Sequence, residues 1–139
     1  MARALVLGMA TTAGVVSARS DGRTTWDGVY SEAQASRGEK LYAAKCAKCH
    51  LETMLGDGTA TALTGPGFAA NWEGVSLAEM VDRTRTTMPD DEPNTLSRQQ
   101  VADVLAFVFK FNKFPAGETE LPTQAEVLKQ IKFVATKGM

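Results

Sequence analysis

Apolar residues recur at helical spacing in three stretches of the chain, and a serine precedes each stretch. Ser31, Ser76 and Ser97 are each followed, three residues later, by Gln or Glu. This is the pattern of a capping box, in which the serine side chain accepts a hydrogen bond from a backbone N–H of the first turn. No stretch alternates polar and apolar residues as a half-buried strand does. The pattern therefore predicts an all-α fold with three main helices.

The first predicted helix runs from about Glu32 to Cys46, the second from about Leu77 to Arg85, and the third from Arg98 to about Asn112. Gly38 lies inside the first helix, where glycine costs about 1 kcal/mol relative to alanine. It therefore predicts a place where another helix approaches closely. The third helix has the widest apolar face. Its members are Val101, Val104, Leu105, Val108 and Phe111, with Phe107 beside them.

Two further segments follow from the same pattern. Residues 51–74 are rich in glycine and predict a long loop. Such a loop is unusual in a compact domain, so we expect it to wrap around a bound apolar group. A short extra C-terminal helix is predicted to begin near Thr123, with Val127, Leu128 and Ile131 on one side. This apolar stripe either packs back on the domain or forms a docking surface for a partner.

Composition and the N-terminus limit the class of protein. The 139 residues fit one domain, and 15 Lys and Arg stand against 16 Asp and Glu, which gives no reason to expect nucleic acid as a partner. Residues 1–18 have the pattern of a secretory signal peptide, with Arg3 before an uncharged run and Val16-Ser17-Ala18 as a cleavage site. A helix of that run spans about 20 Å, less than the roughly 30 Å core of a bilayer. We expect export without a permanent membrane span; the alternatives are a disordered tail, or the end of a longer apolar segment if the true start lies upstream.

The chemistry is concentrated in residues 46–50, which read Cys-Ala-Lys-Cys-His. C-x-x-C-H is the sequence at which c-type haem is attached. Cys46 and Cys49 can bond to the two vinyl groups of one porphyrin, and His50 is then held where its imidazole can ligate the iron. A thioredoxin-like disulfide is one alternative, but it is expected together with a βαβ pattern. A structural zinc site needs four ligands, whereas the chain has two Cys and one His. The motif therefore predicts one covalently attached haem c.

The opposite face of the haem is predicted to be ligated by methionine. His50 is the only histidine of the chain, and Met with His is the ligand pair of electron-transfer cytochromes c. Met54 follows His50 too closely to reach the other face without a sharp reversal, and Met80 has the spacing of a core residue. Met88 precedes Pro89, which disfavours helical backbone at residue 88 and frees its side chain. We therefore predict Met88 as the distal ligand; if it were a buried gap-filler instead, the sixth position would be open.

With these residues the chain resembles the class I cytochromes c, which are small proteins with one haem. The resemblance covers residues 31–112: a Gly-x-x-Leu-Tyr helix leads into C-x-x-C-H, and a Gly-Pro loop, a Met-Pro step and a Leu-Ser start of the closing helix follow. It implies the cytochrome c fold, with three main helices and long loops around the haem. The domain is expected at residues 31–114, between an N-terminal extension (19–30) and a C-terminal extension (115–139).

The resemblance also implies roles for particular residues. The carbonyl of Pro66 is expected to accept a hydrogen bond from the proximal histidine, which would fix the ring orientation. Gly38 is expected to meet Phe107 where the first and last helices cross, with Tyr42 adjacent. Trp72 is expected to shield the haem or to bind a propionate. The tail after Phe114 is similar to that of cytochromes that accept electrons from periplasmic quinoprotein dehydrogenases.

The function implied is that of a periplasmic electron carrier rather than an enzyme. Its partners would be redox proteins: a dehydrogenase or respiratory donor, and an oxidase or other acceptor. The alternatives are a haem-based sensor with a labile sixth position, a peroxidase-like enzyme, and an electron-relay subunit of a dehydrogenase complex. Lys40, Lys45 and Lys48 either steer an acidic partner toward the haem edge or are ordinary solvated lysines. The acidic segment 90–92 is interpreted as a solvated loop.

Overall fold

The computed structural model describes residues 22–138. The predicted signal peptide (1–18) and the first residues of the predicted N-terminal extension lie outside the described residues. The elements are β1 (Arg23–Thr24), α1 (Glu32–Lys45), α2 (Ala47–His50), α3 (Gly65–Trp72), α4 (Leu77–Thr87), α5 (Arg98–Phe111), α6 (Ala125–Leu128) and β2 (Ile131–Lys132). The all-α prediction is confirmed, since the only strand pairing among residues 22–138 involves these short strands. No helix in that range is both long and apolar enough to cross a membrane.

The three predicted serine caps are present at the starts of α1, α4 and α5. The side chains of Ser31, Ser76 and Ser97 accept hydrogen bonds from the backbone N–H three residues later, at 3.2, 3.3 and 3.1 Å. At Ser97 both hydrogen bonds of the capping box are present, because the Gln100 side chain also accepts a hydrogen bond of 2.9 Å from the Ser97 N–H. A cap of this kind contributes roughly 1 kcal/mol. The caps therefore fix where the three main helices begin.

α1 and α5 cross in backbone contact at Gly38. A Cβ atom at this position would lie 1.8 Å from the carbonyl oxygen of Asp103, so only glycine permits the approach. One turn further along α1, the ring of Tyr42 lies 5.3 Å from the ring of Phe107. The close approach predicted at Gly38 is confirmed, but the nearest neighbours of Gly38 are backbone atoms of Asp103 and Val104. The aromatic partner of Phe107 is Tyr42.

The prediction of a single long loop over residues 51–74 is wrong in its second half. α3 begins with Pro66 in its first turn, where a missing N–H breaks no helical hydrogen bond. The side chain of Phe68, which belongs to α3, is buried in the core. The glycines near the ends of α3 gave residues 51–74 the composition of a loop. Two of them, Gly65 and Gly74, have left-handed backbone, with φ of +81° and +76°. Proline near the start of an apolar run is the feature that could have predicted this helix.

The predicted C-terminal helix is a single turn, and it begins after Gln124 rather than at Thr123. Leu128 and Ile131 are fully buried, whereas Val127 is 44% exposed. The difference arises because Ile131 is no longer helical: it lies in β2, which pairs in parallel with Arg23 of β1. The apolar stripe therefore packs back on the domain, with Val127 outside it.

Buried hydrogen bonds hold both terminal segments against the helices. Gln34 of α1 is fully buried, and its side chain accepts a bond of 2.7 Å from the Leu121 N–H and donates one of 3.2 Å to the Leu121 carbonyl. The Tyr30 hydroxyl donates to the Phe114 carbonyl at 2.7 Å. Residues 22–30 and 114–135 are thus part of the same packed unit as the main helices.

α5 forms the wall between two apolar regions, which explains why most of its residues are buried. The ring of Phe109 lies 5.9 Å from that of Phe114 and 6.3 Å from that of Phe133, in an aromatic cluster that the terminal segments complete. Val104 and Leu105, by contrast, line a cavity between α5 and the other main helices. A helix that is apolar over most of its circumference is expected in such a central position.

Candidate functional site

A cavity of about 800 Å³ lies between α2, the loop 57–63 and helices α3, α4 and α5. This is the size range of cofactor sites in proteins. Apolar side chains form much of its surface, among them Leu63, Phe68, Leu105 and Val108. The predicted site residues that line it are Cys46, Cys49, His50, Trp72 and Met88.

One wall of the cavity carries the Cys-x-x-Cys-His segment. Cys46 ends α1 and precedes the single turn of α2, and the His50 N–H donates to the Cys46 carbonyl at 3.0 Å. This turn places Cys46, Cys49 and His50 on one face, at the i, i+3 and i+4 positions. Cys46 and Cys49 form no disulfide, and burial raises the pKa of the Cys46 thiol to about 11. Two thiols and one imidazole thus face the same cavity.

The His50 ring is oriented by the backbone of Thr61. His50 is buried, and its Nδ1 lies 2.8 Å from the Thr61 carbonyl oxygen. A carbonyl can only accept, so Nδ1 carries the proton and Nε2 keeps the lone pair that a metal requires. The role expected for Pro66 is therefore wrong: Pro66 lies in the first turn of α3 and is not among the residues that line the cavity. The hydrogen bond exists, but an earlier residue of the same loop accepts it.

Two methionines line the cavity as well. Met88 ends α4 with extended backbone, at φ −121° and ψ 148°, as expected for a residue before proline. It is half-buried and lines the cavity. Met80 lines the cavity as well, at only 1% exposure, whereas Met54 is fully buried and is not among the lining residues. The structure therefore leaves Met88 and Met80 facing the cavity, and Met88 is the one at the end of a helix.

A polar group of side chains borders the cavity beside α3 and α4. Trp72 lies here together with Asn71 and Arg83. The Arg83 guanidinium lies 4.9 Å from the centre of a Trp72 ring and donates to Glu79 at 2.7 Å. Such a contact holds the arginine over the aromatic face. Asn71 and Arg83 were missed at the sequence level, because no spacing rule links them to the Cys-x-x-Cys-His segment.

Charged residues at the cavity are largely paired. Lys48 forms an ion pair with Asp91, and Lys45 forms one with Glu92 at 3.2 Å. The hydrogen bond between Lys48 and Asp91 raises the pKa of the lysine and lowers that of the carboxyl group. The acidic segment 90–92 is exposed, but it is not simply solvated. Lys45 and Lys48 therefore each have a carboxylate beside their ammonium group, which lowers the net positive charge around the Cys-x-x-Cys-His segment.

The donor set fits a haem better than a bare metal ion. Within residues 22–138 no three His, Cys, Asp or Glu side chains are grouped so that they could hold a metal ion. The cavity is lined by two thiols, one oriented imidazole, the thioethers of Met88 and Met80, and a broad apolar surface. These are the groups that a covalently attached porphyrin with His and Met ligands requires.

Comparison with known proteins agrees with this chemistry. The family model described as cytochrome c oxidase, cbb3-type, subunit III, matches residues 33–108, which is more than half of the chain. No curated protein and no solved structure matches the chain. The matched range contains α1 to α4 and most of α5, and therefore every wall of the cavity.

Proposed function

We infer the function from the premise that this chain belongs to the cytochrome c family described as cytochrome c oxidase, cbb3-type, subunit III. It is a class I c-type cytochrome, and a cytochrome c domain transfers electrons by means of haem. When bound, the haem iron supplies one-electron chemistry by alternating between the ferric and ferrous states.

We propose that one haem is attached at Cys46 and Cys49 and ligated by His50 and Met88. The observation that carries this proposal is that all four residues line one largely apolar cavity, with the thiols and the imidazole on one wall and the thioether on another. The neutral sulfur of Met88 favours the reduced state. The Thr61 carbonyl accepts a hydrogen bond from the Nδ1–H of His50, and this makes His50 a stronger ligand. Phe68, Leu105 and Val108 keep water away.

The polar side chains at the edge of the cavity suit the carboxylate groups of the porphyrin. We assign Arg83, Asn71 and Trp72 to this role, because they are the donors that border the cavity beside α3 and α4. Arg83 is already oriented by Glu79 and Trp72. For Trp72 this is the propionate-binding role that the sequence predicted. Arg83 and Asn71 are further residues proposed for the same role.

The chain is proposed to act as a periplasmic electron carrier between a dehydrogenase or respiratory donor and an oxidase or other acceptor. The family supports a location outside the cytoplasm, and the pattern of residues 1–18 supports export. The chain's only histidine is the one assigned to the iron, which leaves none for general acid–base catalysis. A second candidate is a relay subunit of an oxidoreductase complex, which the description of the family favours.

Spectroscopy of the purified holoprotein tests the haem assignment. We expect the haem to stay with the chain after denaturation, and to be lost in Cys46→Ala/Cys49→Ala. The oxidised protein should show a sulfur–iron charge-transfer band, and the reduced protein should bind carbon monoxide slowly. Rapid binding of carbon monoxide would show that the sixth position is open and would favour a sensor. Size-exclusion chromatography of a native extract then separates a free carrier from a subunit of a complex.

A further inference from the structure

Two ion pairs connect the segment that carries His50 with the loop that follows Met88. Lys48, between the two cysteines, pairs with Asp91. Lys45, the last residue of α1, has its Nζ 3.2 Å from a carboxylate oxygen of Glu92. The partners are 43 and 47 residues apart in the sequence. Each pair therefore joins one wall of the cavity to another.

The remaining hydrogen bonds of this loop are formed with α4 or within the loop itself. The backbone N–H groups of Met88, Glu92 and Asn94 donate to carbonyl oxygens of α4 and of the loop, at 2.8, 2.9 and 3.1 Å. The Thr95 hydroxyl also bonds within the loop, to the Glu92 carbonyl at 2.7 Å. Across the described part of the chain, the two ion pairs are thus the hydrogen bonds that join residues 88–95 to residues 45–50. Without them, the hydrogen bonds of residues 88–95 would run only to α4 and within the loop itself.

We propose that the pairs Lys48–Asp91 and Lys45–Glu92 form a latch that positions Met88 against the haem iron. The inference rests on the proposed function, because it requires Met88 to be the distal ligand. The four charged residues do not touch the iron; they act through the loop, and are positioning residues. When the latch opens, the loop can move away from the attachment segment and the methionine sulfur can leave. The sixth position then takes up a ligand from solution.

The strength of the latch depends on salt. The four side chains are 44–60% exposed, and exposed ion pairs contribute little individually. The Debye length falls from about 10 Å at 0.1 M to about 3 Å at 1 M ionic strength, so added salt weakens the attraction even between paired charges. Opening should therefore become easier as salt is added. From the usual strength of such pairs, we expect a change of about two- to fivefold for each pair removed.

The test is the rate at which imidazole displaces the methionine in the oxidised holoprotein. Loss of the sulfur–iron charge-transfer band is followed by stopped-flow at pH 8, at low and at high sodium chloride. In the wild type, displacement should accelerate with salt. In Asp91→Asn/Glu92→Gln it should already be fast at low salt, and salt should have little further effect. The charge-swapped variant Lys48→Asp/Asp91→Lys should regain much of the slow, salt-dependent rate.

A matched control removes an exposed ion pair away from the cavity. Glu126→Gln breaks the 2.9 Å pair with Lys129, and it should leave the rate and its salt dependence unchanged. If Asp91→Asn/Glu92→Gln has the wild-type band, rate and salt dependence, the latch is disproved while Met88 remains a ligand. If the wild type has no band at all, the ligand assignment fails and the latch fails with it. Should the double variant not fold, Glu92→Gln alone gives the same comparison for the 3.2 Å pair.

Discussion

The Nδ1 atom of His50 lies 2.8 Å from the carbonyl oxygen of Thr61, eleven residues further along the chain. The loop between them is held tightly: the Gly56 N–H donates to the His50 carbonyl at 3.1 Å, and the Leu63 N–H donates to the Met54 carbonyl at 2.8 Å. A backbone acceptor cannot be removed by changing its side chain. The loop conformation, rather than the identity of residue 61, therefore controls the orientation of the His50 ring.

Gly56→Ala should disturb this acceptor. Gly56 has φ of +75°, and a Cβ atom there would lie 2.1 Å from the Ala60 carbonyl oxygen. The clash adjoins Thr61, so we expect a weaker His50 hydrogen bond and a higher reduction potential, because a less basic imidazole stabilises ferric iron less. Stability should fall by about 1–3 kcal/mol. A redox titration and chemical unfolding measure the two effects.

Gly58→Ala is the control for the Gly56 variant. Gly58 also has positive φ, at +95°, but a Cβ atom there would have no neighbour within 4 Å. This variant shares the backbone strain without the clash, so it should lose some stability and keep its potential. Equal shifts in potential for both variants would contradict control of His50 by the loop.

Met88→Ala should remove the distal ligand. The sulfur–iron charge-transfer band should disappear, carbon monoxide should bind rapidly to the reduced protein, and the potential should fall because the neutral thioether favours ferrous iron. Met80→Leu is the control, since Met80 lines the same cavity and the substitution nearly conserves volume. Loss of the band in Met80→Leu, with retention in Met88→Ala, would reverse the assignment.

Gly38→Ala should separate α1 from α5. The added Cβ would lie 1.8 Å from the Asp103 carbonyl oxygen, and neither backbone can yield without unpacking the helix crossing. We expect the free energy of unfolding to fall by at least about 3 kcal/mol, the upper end for overpacking. Gly67→Ala, in α3, meets nothing within 4 Å and should be neutral or stabilising. Denaturant unfolding of both holoproteins makes the comparison.

Gln34→Leu should release the C-terminal segment. The substitution leaves the N–H and the carbonyl of Leu121 buried without partners. Each unpaired group should lower the free energy of unfolding by about 1–3 kcal/mol. Faster hydrogen exchange and proteolysis are expected first in residues 115–135. The haem spectrum should stay as in the wild type, because Gln34 does not line the cavity. A spectral change of the kind seen in Met88→Ala would show that this segment supports the site directly.

Stability should decrease at high pH through Tyr30. Burial raises the pKa of Tyr30 to about 12, above the value of about 10 for an unfolded tyrosine. Between these values the folded state keeps a proton that the unfolded state loses. The stabilisation that Tyr30 contributes is therefore complete below pH 10, and it falls by about 1.4 kcal/mol per pH unit as the pH rises toward 12. Tyr30→Phe should flatten this slope by that amount in unfolding titrations, at the expense of the hydrogen bond to Phe114.

The sequence determined the features that depend on near neighbours. A serine cap acts within one turn, so α1, α4 and α5 begin where the sequence predicts. Pro89 acts on the residue before it, so the extended backbone of Met88 was predictable as well. The Cys-x-x-Cys-His segment predicts the cofactor, because two thiols and an imidazole within one turn are the groups that attach and ligate a c-type haem.

Only the tertiary structure decided which distant groups meet. The acceptor for His50 is Thr61 rather than Pro66, because the path of a loop depends on how it packs and not on its composition. The pairing of Lys45 and Lys48 with Glu92 and Asp91 joins residues more than 40 positions apart, and no local pattern encodes it. Hydrogen bonds and ion pairs between distant segments form only when the whole chain has packed. That is why the sequence predicted the haem site, and the structure alone showed which distant residues contact the residues of that site.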